Sequence, residues 1–152
     1  MPSEAGYTLV CRAGTLLCAL PAGSVLETMR PLPVKPLPGL PAFIAGSAIV
    51  RGTPLPVIVL GRLLGSQVAT PERFVIVRAG PRPVALAVDD VLGFRSLSGA
   101  VVAALPPLLA GAARAAVTEL GALDGALMAV LETSNLIPED VFAAMDANGA
   151  AA

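Results

Sequence analysis

The chain has 152 residues, a length that suits one domain and allows a sizeable buried core. Ten basic and eleven acidic residues give a net charge of −1 without a basic stripe or a block of like charge, which argues against a nucleic-acid partner. Histidine, the commonest general base and metal ligand, is absent, and no glycine pattern of a phosphate-binding loop occurs, so we expect neither an enzyme nor a bound metal or cofactor.

Hydrophobicity is high, with 55% apolar residues and a mean hydropathy of +0.79. The longest uncharged run, residues 96–113, contains the pair Pro106-Pro107, so direct membrane insertion is not expected. Glu4 precedes any basic residue at the N-terminus, unlike a secretory signal, and this favours a cytoplasmic location. Because charged residues are few, apolar surface should remain exposed and meet another protein.

The first predicted element is a β-hairpin. The stretch TLVCRAGTLLCAL, residues 8–20, has two apolar segments joined by a turn near residues 13–16. Cys11 and Cys18 would then lie opposite each other. In a cytosolic chain we expect them to be buried free thiols and not a disulfide or a redox pair.

The next segment predicts a short helical turn followed by an extended connection. Ser24 and Glu27 have the spacing of a capping box, so a turn of helix is expected over Ser24–Met29. The prolines between Pro31 and Pro41 cannot continue a helix.

Most of the remaining chain has the pattern of short strands separated by glycine and proline, which is typical of small β-barrels. The stretches PVIVL and PVALAV are apolar on both alternating faces, which favours strands covered on both sides. The predicted strands are 7–12, 16–20, 45–50, 56–60, 73–77, 83–88, 91–97 and 126–132.

Of two segments near the C-terminus, one has an ambiguous secondary structure and the other has a clear helix signal. Residues 106–125 are compatible with a short helix or with a surface loop, and the sequence leaves both open. The last segment predicts a short helix, because Pro138 suits its first turn and Glu139 and Asp140 suit the positive end of its dipole. The apolar face of this helix would consist of Val141, Phe142 and Met145.

The order of these pieces resembles the CheW-like domain family of bacterial chemosensory adaptors. The stretch GSAIVRGTPLPVIVL, residues 46–60, is similar to the family signature Gly-x-x-Asn-x-Arg-Gly-x-x-x-Pro-x-x-Asp-Leu. VALAVDDVLGF resembles the Val-Asp-x-Val step of the family, and LGALDGALMAVLETSNLIPEDV resembles its last strand and terminal helix. The resemblance implies a single domain over residues 1–152 with a mainly β fold. It would consist of two interlocked five-stranded SH3-like barrels and a short C-terminal helix, with a subdomain boundary near residues 65–72 and room for exchanged strands.

The resemblance also implies a function. In the family, a hydrophobic groove between the barrels receives the tip of a chemoreceptor's cytoplasmic helical hairpin, and other barrel edges pair with the regulatory domain of a CheA-type histidine kinase. The expected function is therefore that of a non-enzymatic adaptor, which holds receptor and kinase at high effective concentration in arrays at the inner membrane.

This chain departs from the signature at two positions. Ile49 stands where the family pattern has Asn, and Val59 stands where it has Asp. Because buried amides and carboxylates need partners, we interpret the joint loss as the exchange of a local hydrogen-bonded pair for apolar packing.

Arg51 is predicted to lie at the tip of a turn between two apolar strands, where Gly52 can adopt a positive φ. Its guanidinium would be either a solvated turn charge or the partner of a carboxylate, inside the domain or on another protein. The resemblance indicates Glu27 as the internal carboxylate. The predicted partner-binding residues are Val25, Glu27, Phe43, Ile44, Val50, Arg51 and Gly52.

Several residues have a simpler structural interpretation. Val25, Phe43, Ile44 and Val50 would be ordinary core residues unless they are exposed. Asp89 and Asp90 point to opposite faces if they lie in a strand, so they cannot share a proton and are expected at a turn or rim. Two alternative functions remain open: a reduced adaptor that binds receptors without productive kinase coupling, and a small-ligand sensor that uses a cleft between the barrels.

Overall fold

The structure is a computed structural model, and it describes residues 7–65, 71–96, 101–104, 117–123, 126–133, 136–137 and 139–147. These residues form eleven strands, two α-helices and one 3₁₀ turn, Ala22–Ser24. The strands are β1 Tyr7–Ala13, β2 Leu16–Pro21, β3 Val25–Met29, β4 Ile44–Val50, β5 Thr53–Val59, β6 Arg73–Ala79, β7 Arg82–Val88, β8 Asp90–Ser96, β9 Val101–Ala104, β10 Val117–Leu123 and β11 Ala126–Leu131. The helices are α1 Leu60–Leu63 and α2 Glu139–Ala147.

The strands form two interlocked sheets, because one sheet contains strands from both ends of the chain and the other contains the strands between them. The terminal sheet has the order β8-β1-β2-β11-β10-β9, and the central sheet has the order β3-β6-β7-β5-β4. The chain starts in the terminal sheet, completes the central sheet and then returns. The predicted mainly β class and short C-terminal helix are confirmed, although the terminal sheet has six strands where five were expected.

The predicted boundary near residues 65–72 does not separate the two sheets. The hairpins on either side of it, β4–β5 and β6–β7, belong to the same central sheet and are joined by the parallel pairing of β5 with β7. The boundary that the resemblance implied therefore does not coincide with a break in backbone hydrogen bonding. The N-terminal hairpin instead pairs with the C-terminal strand β11.

The N-terminal hairpin forms as predicted. Gly14 and Thr15 are the turn, and Cys11 and Cys18 face each other in the register of β1 and β2. Both thiols are free and buried. Asp89 supports the turn, since its Oδ2 accepts from the backbone N–H of Gly14 at 2.9 Å, which is the turn role expected for this carboxylate.

Strand β3 corrects the predicted helical turn over Ser24–Met29. The residues of β3 pair antiparallel with β6, so their backbone groups gain partners that a single isolated turn of helix could not supply. The β-branched side chains of Val25 and Thr28 also suit a strand. Tertiary pairing therefore overrides the capping-box spacing of Ser24 and Glu27.

The apolar side chains fill three separate regions. Each sheet curls around a small interior of its own, and the largest cluster, which we call the seam, lies between the two sheets. The seam is closed at one side by α2, whose Phe142 and Met145 are buried. Large buried side chains of the seam include Leu9, Leu20, Ile58, Leu60, Leu86, Leu131 and Leu136.

The interior of the seam is filled by the protein's own aliphatic side chains, with half-buried apolar residues such as Val25 and Phe43 at its margin. A docked helix could enter the seam only by displacing side chains that are packed at core density. Any docking surface must therefore lie on the margin or the exterior of the sheets.

The C-terminal predictions have mixed outcomes. Helix α2 forms as predicted, and the Arg82 guanidinium lies 4.6 Å from the ring centroid of Phe142. Residues 117–123 form β10, so they are neither the helix nor the loop that the sequence allowed. Residues 105–116 and Pro138 lie outside the described residues. Within the described part of the chain, no helix is both long and apolar enough to cross a membrane.

Candidate functional site

The turn that carries Arg51 is a two-residue hairpin loop. Val50 and Thr53 close it as register partners, and Arg51 and Gly52 have φ values of 50° and 80°. Two consecutive positive φ values are the pattern of a type I′ turn, whose twist matches that of the flanking strands. Among the described residues, Arg51 is the only one besides glycines with a positive φ. An arginine at such a position is unusual and indicates that its side chain has a role.

Arg51 forms a bidentate ion pair with Glu27 of β3. Its Nε donates to Glu27 Oε2 at 2.7 Å, and its Nη2 donates to Glu27 Oε1 at 2.8 Å. The side chain of Arg51 is 76% exposed and that of Glu27 is 28% exposed. The hydrogen bonds and the opposite charge lower the pKa of Glu27 and raise that of Arg51, so both groups stay charged over a wide pH range. The internal partner inferred for Arg51 is confirmed.

The ion pair also shows how the central sheet closes. Strands β3 and β4 are the two edges of this five-stranded sheet, and in a flat sheet they would lie roughly 19 Å apart. Side chains at these two edges are nevertheless in hydrogen-bonding contact through Glu27 and Arg51. The sheet is therefore rolled into a barrel, and the ion pair bridges its edges on the outer rim.

A close backbone approach next to β4 depends on Gly46. Lys35, in the proline-rich connection, pairs with Ser47 through two backbone hydrogen bonds of 2.8 and 2.9 Å. A Cβ on Gly46 would lie 2.0 Å from the carbonyl oxygen of Lys35, and the φ of Gly46 is +148°. Glycine is therefore required for the connection to lie along the outer edge of β4.

Two large apolar side chains are exposed on the strands that the ion pair joins. Leu26, which precedes Glu27 in β3, is 47% exposed, and Ile49, two residues before Arg51, is 60% exposed. We call Leu26, Glu27, Ile49 and Arg51 the rim patch. Leu26 was not among the predicted site residues. Ile49 was expected to pack inside, because β4 is apolar at neighbouring positions and its sequence does not show which face is buried. Burial of Ala48 and Val50 identifies Ile49 as the outward residue.

The predicted site residues fall into three groups. Ile44 and Val50 are 6% and 5% exposed, so their side chains belong to the core and cannot contact a partner directly. Val25 and Phe43 are half-buried and pack against the margin of the seam. Glu27, Arg51 and Gly52 lie at the rim, where the side chains of Glu27 and Arg51 are hydrogen-bonded to each other.

The two departures from the family signature do not form a local pair. Ile49 is opposite Pro54 near the turn, whereas Val59 is at the far end of β5, roughly 17 Å along the strand. Val59 is buried in the interior of the central barrel, so apolar packing does replace a carboxylate there. Ile49 is instead exposed, and its replacement of an amide changes the surface and not the core.

The two cysteine thiols are held in their neutral form by burial. Burial raises the pKa of Cys11 to about 12, with a smaller contribution from the charge of Asp90, and burial also raises the pKa of Cys18. These thiols are therefore poor nucleophiles. In the described part of the chain, no group of three His, Cys, Asp or Glu residues is placed to hold a metal ion. The features at the rim are suited to binding.

Comparison with known proteins agrees with the architecture. The CheW-like domain family matches residues 8–141. Protein FrzA of Myxococcus xanthus is 36% identical over 107 residues, which span 68% of this chain and 66% of FrzA. Chemotaxis protein CheW of Rhizobium meliloti (strain 1021) is 28% identical over 111 residues, covering 71% of this chain and 72% of that protein.

A solved structure shows the same fold. The crystal structure of the scaffolding protein TtCheW from Thermoanaerobacter tengcongensis matches with a TM-score of 0.72 and 21% identity. The match covers 90% of this chain and 94% of TtCheW. The interlocked sheets, the Arg-Gly turn and the match over residues 8–141 together lead to one conclusion. The chain is a member of the CheW-like domain family.

Proposed function

We propose that this protein is a non-enzymatic adaptor that couples chemoreceptors to a CheA-type histidine kinase in a cytoplasmic array at the inner membrane. The observation that carries the proposal is the family match over residues 8–141. A relative named as a chemotaxis protein and a structural neighbour named as a scaffolding protein support it. The rim patch supports it further, since exposed apolar side chains next to a fixed ion pair are typical of a protein interface.

The proposed mechanism needs no chemical step. The adaptor binds a receptor's helical tip on one surface and the kinase regulatory domain on another, which raises their effective concentration. On the receptor side we propose contacts with Glu27, Arg51 and Gly52 at the rim and with Val25 and Phe43 at the seam margin. Ile44 and Val50 would support these residues from the core.

The test is a reconstituted array that contains this chain, receptor cytoplasmic fragments on vesicles, and the kinase from the same organism. We expect the chain to co-sediment with the receptor fragments and to raise the rate of kinase autophosphorylation. Arg51→Glu should weaken co-sedimentation with little loss of folding, because Arg51 is at the exposed rim. Arg12→Glu, an exposed arginine in β1 of the terminal sheet, is the matched control and should bind normally.

Two outcomes would contradict the proposal. If the wild-type chain fails to bind any receptor fragment of the organism, the adaptor function is wrong. If it binds receptors but never changes kinase activity, the coupling to kinase is wrong, and the protein is a receptor-binding module alone.

A further inference from the structure

The connection between β3 and β4 contains a segment with four prolines. Residues 30–38, RPLPVKPLP, have proline at positions 31, 33, 36 and 38, and we call this segment the proline ridge. The ring of each proline fixes its own φ at about −65° and disfavours helical backbone for the residue before it. The four prolines and the four residues before them make up eight of the nine residues, all except Val34. The ridge is therefore restricted to extended or polyproline II backbone.

The two sides of the proline ridge have different surroundings. Leu32, Val34 and Leu37 are half-buried, and the first two pack against the interior of the central barrel. The four prolines are exposed. Two backbone hydrogen bonds between Lys35 and Ser47 anchor the middle of the ridge to β4. The protein thus holds the ridge in place on one side and leaves its prolines accessible on the other.

One edge of the ridge is exposed along its whole length. A polyproline II helix has about three residues per turn, so residues i, i+3 and i+6 lie on one edge. Arg30, Pro33 and Pro36 have this spacing, and all three are exposed. Each of the other two edges contains at least one half-buried aliphatic residue. The accessible edge therefore has the pattern Arg-x-x-Pro-x-x-Pro.

This edge has the chemistry of a ligand for an aromatic groove. Proline-rich segments dock into grooves lined by aromatic side chains, and their preformed backbone loses little conformational entropy on binding. Arg30 adds an exposed guanidinium, which can form a bidentate pair with a carboxylate beside such a groove. Lys35 adds a second exposed positive charge. The two charges favour a groove with acidic residues at its margin.

A second copy of this chain does not supply such a groove. The sequence has four Phe, one Tyr and no Trp. Phe74 and Phe142 are buried, and Phe43 is half-buried at the margin of the seam. The partner is therefore a different protein with a higher density of exposed aromatic residues.

We propose that Arg30, Pro33 and Pro36 bind a second protein through a groove that is lined by aromatic side chains and flanked by carboxylates. SH3 domains that recognise polyproline II segments are the model for this kind of partner. The inference goes beyond the proposed function and does not depend on it. The ridge would bind without a change of backbone conformation, since its accessible edge already faces solvent.

The experiment measures binding of the full chain to a purified SH3 domain of the kind that recognises Arg-x-x-Pro-x-x-Pro ligands. Isothermal titration calorimetry should show saturable binding. We expect Pro33→Ala and Pro36→Ala each to raise Kd about tenfold, because each removes a ring that packs on the aromatic groove. Arg30→Glu should raise Kd at least as much, because it reverses the charge that faces the carboxylates.

Pro41→Ala and Arg12→Glu are the matched controls. Pro41 is an exposed proline of the same connection, but it lies beyond Gly39, whose φ of 76° ends the polyproline II geometry. Arg12 is an exposed arginine in β1 of the terminal sheet. Both variants should bind the SH3 domain as the wild type does. Circular dichroism and urea unfolding establish that every variant folds.

Three results would overturn the inference. The first is the absence of saturable binding at about 0.5 mM SH3 domain. The second is binding that Arg30→Glu, Pro33→Ala and Pro36→Ala leave unchanged, because another surface would then be responsible. The third is a dimer of this chain that Pro33→Ala converts to a monomer, because a second copy would then cover the ridge. Co-sedimentation with receptor fragments tests the adaptor function separately, so none of these results decides it.

Discussion

Arg51 is the residue at which backbone preference and side-chain role conflict. A type I′ turn favours Asn or Gly at its first position, and Arg51 adopts a φ of 50° there. The compensation is the ion pair with Glu27, which fixes the guanidinium between the barrel edges. We interpret a turn residue that opposes its own backbone preference as one whose side chain has a role other than hairpin stability.

Arg51→Asn tests this interpretation. Near pH 7 we expect a urea midpoint close to that of the wild type, because Asn suits the positive φ and offsets the lost ion pair. Receptor binding should fall. The ion pair lowers the folded-state pKa of Glu27 below its ordinary value of 4.5. The stability that the ion pair contributes is therefore present above about pH 4.5 and is lost as the pH falls through the lowered pKa. Wild type should therefore lose more stability on acidification than the variant does.

The measurement is urea unfolding of both proteins from about pH 3 to pH 8. A large loss of stability in Arg51→Asn at pH 7 would contradict the interpretation. In that case the ion pair would be needed to close the barrel, and loss of receptor binding would follow from unfolding.

At the scale of elements, sequence patterns located most strands but not their partners. Eight predicted strands overlap observed ones, because short apolar segments between glycine and proline are a local signal. Strand β3 was predicted as a helical turn, since its pairing with β6 lies about 50 residues away and no local pattern reports it. The path of the proline-rich connection along β4 depends in turn on a single glycine, Gly46.

Gly46→Ala should lower the free energy of unfolding by about 3 kcal/mol, because the new Cβ would collide with the backbone of Lys35 and Pro36. Gly39→Ala is the control. Gly39 also has a positive φ, 76°, but a Cβ there would have no atom within 4 Å, so only the backbone cost of about 1 kcal/mol applies. Urea unfolding of both variants measures the difference. Equal losses would show that the connection moves freely away from β4.

At the scale of the whole molecule, the seam joins the two sheets into one cooperative unit. Its side chains come from strands of both sheets, from α1 and from α2. Cys11 and Cys18 lie within it and are fully buried. Their thiols therefore report whether the two sheets ever separate in solution.

We expect Cys11 and Cys18 to react with a thiol reagent only when the seam opens. Phe142→Ala removes a buried ring from α2 and should destabilise the fold by about 3 kcal/mol, so labelling should accelerate about 100-fold. Ala143→Ser, at an exposed position of the same helix, should leave the rate unchanged. Fast labelling of the wild type in the absence of denaturant would contradict a closed seam.

Part of the candidate site could be predicted from the sequence. The Arg-Gly turn follows from local turn chemistry, and the resemblance to the family pointed to Glu27, which is 24 residues from Arg51. Leu26 could not be predicted, because the bulge that exposes it exists only once β3 is paired with β6. For Ile44 and Val50 the sequence allowed either burial in the core or contact with a partner, and the structure shows that both are buried.

The sequence by itself determined the short strands, the hairpin turns and the terminal helix, because these depend on residues that are close together along the chain. The tertiary structure decided which strands pair, which face of β4 is covered and whether the seam is open. These features depend on contacts between residues that are distant in the chain, such as β2 with β11 and β3 with β6. The rim patch belongs to the second group, since the barrel must close before the Glu27–Arg51 ion pair can join β3 to the turn after β4.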